Sequence, residues 1–260
     1  MKNSFKIILA SAGLFASAQM YGAVKSITTF EPLPSLSQDM FKGADNDCGY
    51  FMLYNMLVLN NPQTTMAEGS KELLNKARFE KLYTSWKAGL KSQTKLSPEE
   101  ITTLISKVTA LKKQAEHIAI ISDPSFFQFL FQSNPKDAHT VLYNHAQTWD
   151  QPTLAAALQE CKLPFAIGLN ITNIDETIHW ITFVVRNENG SIKVYQTNSI
   201  TPKMIEDNIK AFGLTTAESK QIHRKMEAES AFIKQIGLCL QQAFETSFKK
   251  SQKNDVFMSF

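Results

Sequence analysis

Residues 178–199 have the sequence IHWITFVVRNENGSIKVYQTNS, which predicts a β-hairpin. Two runs rich in β-branched and aromatic residues flank Asn189-Gly190, a dipeptide that readily takes the positive φ angles of a type I′ turn. Numbering back from that turn places Ile181 opposite Asn198. His179 lies two residues from Ile181 on the same strand face, so its Cα is diagonal to that of Asn198 at roughly 7–8 Å. The hairpin therefore predicts that the two side chains are within reach of each other.

The rest of the chain predicts an α+β fold. An apolar run, Pro164-Phe165-Ala166-Ile167-Gly168-Leu169-Asn170-Ile171, fits a buried strand ahead of the hairpin. Three successive strands are therefore expected to form a late antiparallel sheet. Residues 24–44 have an irregular, extended pattern, and Ser97-Pro98-Glu99-Glu100 is typical of a helix start. Helical patterns cover a segment that ends at about Leu59, then residues 65–115, 123–131, 135–148, 152–161, 202–212 and 216–248.

Cys48 occupies the start of the first predicted helix. It follows Asp45-Asn46-Asp47, any of which can cap a helix, and Asn60-Asn61-Pro62 marks the helix end. The N-terminus of a helix lowers a thiol pKa, and its free amides can hold an oxyanion. The two neighbouring aspartates oppose ionisation, so a basic partner is needed. His179 is the candidate base, because Asn198 could accept from one imidazole nitrogen and leave the other free to take the thiol proton.

Three short motifs resemble the papain-like cysteine peptidase superfamily. They are Asp47-Cys48-Gly49 before a hydrophobic helix, His179-Trp180 on a strand, and Asn198-Ser199 ending the next strand. Josephin-type deubiquitinating peptidases share all three motifs, and bacteriocin-leader peptidases share Asp-Cys-Gly and a late His. Proteases of small ubiquitin-like modifiers fit less well, because their His precedes the Cys.

The resemblance implies one papain-like domain over residues 24–260, with an N-terminal catalytic helix, a helical insertion at about 65–160 and the late sheet. It implies a Cys48-His179-Asn198 triad and no cofactor. Such enzymes usually place a Gln five or six residues before the Cys, where this chain has Gly43 and Lys42. Gln38 and Asn46 are the candidates to complete the oxyanion hole in its place.

The substrate implied by the resemblance is a protein or peptide, with ubiquitin or a ubiquitin-like protein as a candidate. Gly49 and Trp180, which adjoin the nucleophile and the base, are expected to bind it.

The N-terminus has the pattern of a secretory signal peptide. Lys2 and Lys6 lead into an apolar run that is followed by small residues, and residues 1–23 are expected to be removed. The run is short for a membrane anchor, so the mature protein is expected to be secreted or periplasmic, without a stable membrane span. The chain has three cysteines; an odd number leaves at least one thiol unpaired, and a Cys161–Cys239 disulfide stays open.

The composition of the chain disfavours some classes of function. The chain has 260 residues, of which 43% are hydrophobic and 20% charged, as in an ordinary globular protein. A net charge of +3 with scattered lysines does not favour nucleic acid. The cysteines lack the paired spacing of a structural metal site.

Two other functions are compatible with these residues. One is a non-catalytic protein-binding module on the same fold, which the missing upstream Gln favours. The other is an acyltransferase, since transglutaminase-like enzymes and arylamine acetyltransferases also use Cys, His and Asp or Asn.

Overall fold

The structure, a computed structural model, describes residues 30–44, 46–90, 96–107, 118–121, 163–172 and 178–257. Several predictions lie outside these residues: the signal peptide, the cap role of Asp45, the helices at 123–131, 135–148 and 152–161, and any disulfide of Cys161. Within the described parts of the chain, no helix combines the length and apolar character needed to cross a bilayer.

The described elements include both helices and strands, in the mixed order of an α+β protein. The elements are β1 (Phe30–Pro32), a short 3-10 helix (Gln38–Met40), α1 (Cys48–Leu59), α2 (Met66–Leu73), α3 (Lys76–Gly89), α4 (Pro98–Lys107), β2 (Ile118–Ile121), β3 (Phe165–Thr172), β4 (Ile178–Glu188), β5 (Ser191–Thr197), α5 (Pro202–Ala211) and α6 (Thr216–Phe257). The α+β prediction is confirmed, and the helices predicted within the described residues are present.

The hairpin has the predicted register. Glu188 pairs with Ser191, and the ladder continues to Thr182 opposite Thr197. Both turn residues have positive φ, 54° at Asn189 and 81° at Gly190, as a type I′ turn requires. The tight turn therefore sets which residues of β4 and β5 face each other down to the end that holds His179.

The sheet is mixed, which corrects the prediction of a purely antiparallel one. Its order is β1-β5-β4-β3-β2. The three central strands are antiparallel, but β1 pairs with β5 and β2 pairs with β3 in parallel. Both edge strands are only three or four residues long, too short for a distinct periodicity. Parallel pairing also joins segments far apart in sequence, so local pattern does not reveal it.

Two further expectations change with these edge strands. Residues 24–44 were expected to be extended and irregular; their described part contains a strand of the sheet, β1, and the short 3-10 helix. The insertion at about 65–160 was expected to be helical. Its described part contains α2, α3 and α4, but it also contributes the edge strand β2.

The sheet lies between two apolar layers. On one face α1 packs against β4 and β3; eleven of its twelve residues are buried. On the other face α6 packs against β5, β1 and β4. Thr182 Oγ1 donates to the Met52 carbonyl oxygen at 3.1 Å and so joins β4 to α1. The two helices thus bury both faces of the central strands, as expected for a layered α+β domain.

Candidate active site

Cys48 is the first residue of α1, and its side chain is buried. The residue before it, Asp47, occupies the N-cap position but makes no side-chain cap hydrogen bond. The backbone N–H groups of Gly49, Cys48 itself and Trp180 lie at the sulfur, where each favours the thiolate. The thiol is therefore at a helix N-terminus and beside the peptide that links His179 to Trp180.

His179 and Asn198 form the contact that the hairpin predicts. His179 Nε2 lies 2.7 Å from Asn198 Oδ1. The same oxygen accepts from the Ile200 backbone N–H at 2.9 Å, and Ser35 Oγ donates to the Asn198 carbonyl oxygen at 2.8 Å. Because Oδ1 is an acceptor, His179 Nε2 is the donor. In neutral imidazole the proton is then on Nε2, and Nδ1 is left as an acceptor.

No family model matches this chain, and the comparisons with curated proteins and with solved structures return no match.

Burial holds the thiol and the imidazole in their neutral forms. Desolvation raises the pKa of the Cys48 thiol, and the charge of Asp47 raises it further. Desolvation also lowers the pKa of His179 to about 4, against the opposing hydrogen bond to Asn198. At neutral pH the site therefore holds a thiol and a neutral imidazole. A neutral imidazole is the form that can accept a proton.

Gln38 links the end of β5 to the loop before α1. Its Nε2 donates to Ser199 Oγ at 3.0 Å, and its Oε1 accepts from the Asn46 backbone N–H at 3.2 Å. Its own N–H also donates to the Ser199 carbonyl oxygen at 3.1 Å. A 3-10 turn at Gln38 and the positive φ of 73° at Gly43 compact the intervening chain. Gln38 therefore reaches this loop although it is ten positions from Cys48 in the sequence.

The Asn46 side chain is exposed, and the residue has a φ of 107°. Its recorded role is the backbone donor to Gln38. An oxyanion role for either residue stays a prediction, and the geometry favours Gln38 because its amide is buried.

Gly49 and Trp180 are both buried. A Cβ built on Gly49 would lie 3.1 Å from Leu96 Cβ, so the residue is in close packing. Trp180 belongs to the apolar cluster that includes α1. Their expected contacts with substrate stay predictions.

An ion pair beside Cys48 was not predicted from the sequence. Asp47 Oδ2 accepts from Tyr83 Oη and from Lys87 Nζ, the latter at 2.9 Å. Asp47 was one of three residues that could cap α1; it occupies the N-cap position, but its carboxylate is held by α3 and makes no cap bond. The sequence signal was the helical spacing of Tyr83 and Lys87, but nothing local ties that helix to Asp47.

Metal ligands are not grouped in this region. Among the residues whose positions are described, no three His, Cys, Asp or Glu side chains are close enough to hold a metal ion.

Proposed function

We propose that this protein is a thiol hydrolase that cleaves peptide or isopeptide bonds, with Cys48 as nucleophile, His179 as base and Asn198 as the residue that orients the base. The observation that supports it most is the 2.7 Å contact from His179 Nε2 to Asn198 Oδ1, on a strand whose next residue, Trp180, has its backbone N–H at the Cys48 sulfur. The signal-peptide pattern of residues 1–23 adds that the enzyme is exported.

In the first step His179 Nδ1 takes the proton of the Cys48 thiol as the sulfur attacks the carbonyl carbon of the scissile bond. The C–N bond then breaks, and the leaving amine takes the proton from the imidazolium. The product on the enzyme is a thioester. Asn198 keeps the Nε2 proton in place throughout, which leaves Nδ1 as the working nitrogen.

In the second step a water molecule gives its proton to His179 Nδ1 and adds to the thioester carbonyl. Collapse expels the Cys48 sulfur, which regains the proton, and releases the acid. The amides of Cys48 and Gly49 are the donors for the oxygen that becomes negative in both steps. The Gly49 amide is a position that an N-cap side chain normally occupies, and the Asp47 side chain makes no such bond. Gln38 Nε2 is the proposed side-chain donor, because the peptidase resemblance implies a glutamine amide in this role.

The substrate class comes from the resemblance to deubiquitinating peptidases. A ubiquitin-like protein with a free C-terminal tail is accordingly the first substrate to test, and fluorogenic amides of that tail are suitable reagents.

The primary test is labelling of the purified protein with iodoacetamide and with an electrophilic ubiquitin probe, alongside hydrolysis assays. Cys48→Ala is expected to abolish hydrolysis and probe labelling. Cys239→Ala is the matched control, because Cys239 is also buried but lies in α6 on the other side of the sheet. An unreactive Cys48 in folded wild-type protein would exclude the proposal; a reactive Cys48 without ubiquitin cleavage would exclude only this substrate.

Asn198→Ala is the second variant. It removes the acceptor of His179 Nε2, so the imidazole loses its preferred tautomer. The expected result is a fall in kcat of up to about 100-fold, a part of what general base catalysis contributes, with KM changed much less. Equal activity of the variant and wild type would show that Asn198 does not orient the base.

The alternative favoured by one observation is a non-catalytic binding module on the same fold. Cys48 is only 7% exposed and His179 only 1%, and burial opposes ionisation of both. In that case Cys48→Ala would leave binding of a protein partner unchanged, and no thioester would form with any ester or amide substrate.

A further inference from the structure

The strongest feature outside the triad is the cluster Asp47, Tyr83 and Lys87, which joins α3 to the residue before Cys48. Lys87 Nζ is 2.9 Å from Asp47 Oδ2 and 3.0 Å from Tyr83 Oη. Tyr83 donates its hydroxyl to the same carboxylate oxygen. Asp47 is 4% exposed, whereas the Lys87 side chain is 34% exposed. A buried carboxylate is thus compensated by one cation and one hydroxyl from another helix.

An aspartate that precedes a helix usually makes a different interaction from the one seen here. At the N-cap its carboxylate normally accepts from the second or third backbone N–H of the helix. In this chain that would place a negative charge and an acceptor at the Gly49 N–H, which is one of the amides that face the Cys48 sulfur. The recorded geometry is different, because the Asp47 carboxylate is bonded to α3 and no cap bond forms.

We propose that Tyr83 and Lys87 are positioning residues for Cys48, which hold the Asp47 carboxylate on α3 and neutralise its charge so that the first amides of α1 stay available to the sulfur and to the oxyanion. This inference rests on the proposed function. It makes α3, part of the insertion, a component of the catalytic apparatus.

Other charged or titratable groups surround the same region. His179 precedes Trp180, whose backbone N–H lies at the Cys48 sulfur, and Tyr50 of α1 lies in the field of Asp47, Lys87, Glu100 and Tyr83. The pKa of Tyr50 is raised to about 12, so it stays neutral across the working range. Glu100 Oε2 accepts from the Ser97 backbone N–H at 2.9 Å. Among these groups, Lys87 is the cation bonded to Asp47, so a substitution of Lys87 changes the charge beside Asp47 most directly.

The test is the pH dependence of Cys48 alkylation by iodoacetamide, measured with kcat and KM on the same samples. Lys87→Met leaves the buried carboxylate without its cation, which disfavours the thiolate. Below the thiol pKa, alkylation and kcat are expected to fall roughly threefold to tenfold, and the profile is expected to move to higher pH. KM is expected to change little, because the variant does not alter substrate contacts.

Three further variants separate charge from packing. Adding Asp47→Asn to Lys87→Met removes the uncompensated carboxylate and is expected to restore most of the lost rate. Lys87→Arg keeps the cation and is expected to recover more of the rate than Met does. Tyr83→Phe keeps the ring but removes one of the two donors to the Asp47 carboxylate, so it is expected to shift the profile in the same direction by a smaller amount.

Lys81→Met is the matched control, since it removes an exposed lysine from the same helix. If the role of Lys87 were purely structural, Lys87→Met would be less stable, but the folded variant would show the same pH dependence of Cys48 alkylation as wild type. This result would overturn the inference. Failure of Asp47→Asn to restore the rate would also overturn it. If Lys87→Met does not fold, the double variant and Tyr83→Phe decide the question. A wild-type thiol that never reacts would instead refute the proposed function.

Discussion

His179 is almost fully buried, yet its hydrogen bond to Asn198 leaves one ring nitrogen unprotonated. Removal from water disfavours the imidazolium more than the Asn198 hydrogen bond favours it, so the pKa falls to about 4. At the residue scale the structure therefore favours a neutral imidazole and a neutral thiol over a thiolate–imidazolium pair, with backbone amides at the sulfur. The same burial couples the histidine to the stability of the fold.

Acid is expected to destabilise the protein through His179. The unfolded chain takes up a proton near the ordinary pKa of 6.5, whereas the folded chain does so only near 4. Stability is thus complete above about pH 6.5 and is lost as the pH falls toward 4. Between pH 7 and 4.5 the loss is about 2–3 kcal/mol. Denaturant unfolding of wild type and His179→Gln at both pH values measures it; an equal acid loss in both proteins would contradict the assignment.

At the scale of elements, close packing decides where α6 lies against the sheet. Gly237 of α6 faces the Phe30 ring of β1, and a Cβ built on it would be 2.2 Å from Phe30 Cδ2. The Phe30 ring in turn lies 6.1 Å from that of Phe183, centroid to centroid. A helix position without a side chain therefore lets the short edge strand β1 insert its ring between α6 and β4.

Gly237→Ala is expected to lower the free energy of unfolding by about 1–2 kcal/mol, because the overpacking cost exceeds the helix propensity gained. Gly89→Ala at the end of α3 is the control, since a Cβ there meets nothing within 4 Å. In a Phe30→Ala background Gly237→Ala is expected to become neutral or stabilising. Thermal and urea unfolding of the four variants measures these changes. A stabilising effect of Gly237→Ala in the wild-type background would contradict the packing role.

At the scale of the whole molecule, side chains of β4 fasten the α1 layer to the sheet at two points. Thr182 bonds to the middle of α1. Arg186 donates through Nη1 to the Leu59 carbonyl oxygen at 3.3 Å and through Nη2 to the Thr64 carbonyl oxygen at 2.9 Å. It thus satisfies the carbonyl group of the last residue of α1, which has no partner within the helix, and a carbonyl group in the connection to α2. The position of Cys48 relative to His179 depends on this attachment.

Arg186→Met is expected to destabilise the fold by about 1–3 kcal/mol, because it leaves half-buried carbonyl groups without their charged donor. Lys193→Met is the control, as Lys193 pairs opposite Arg186 on β5 and makes a partly exposed ion pair with Glu188 at 3.3 Å; its loss is expected to cost less than 1 kcal/mol. Equal unfolding midpoints for the two variants would contradict the attachment role.

Local pattern was sufficient for the hairpin, for α1 and for the contact between His179 and Asn198. An Asn-Gly turn limits the backbone to few conformations, and a strand alternates its faces every residue. The register, and with it the partner of His179, therefore follows from positions that are close in the chain.

Tertiary structure alone decided the remaining parts of the site. Asp47 is a residue type that commonly caps helices and it stands at the N-cap position, yet Tyr83 and Lys87 of α3 bind its carboxylate. Gln38 reaches the loop before Cys48 only because the intervening chain is compact, and both edge strands find partners far away in sequence. Such contacts depend on how separate segments pack together, and the free energy of that packing is not encoded in any one segment.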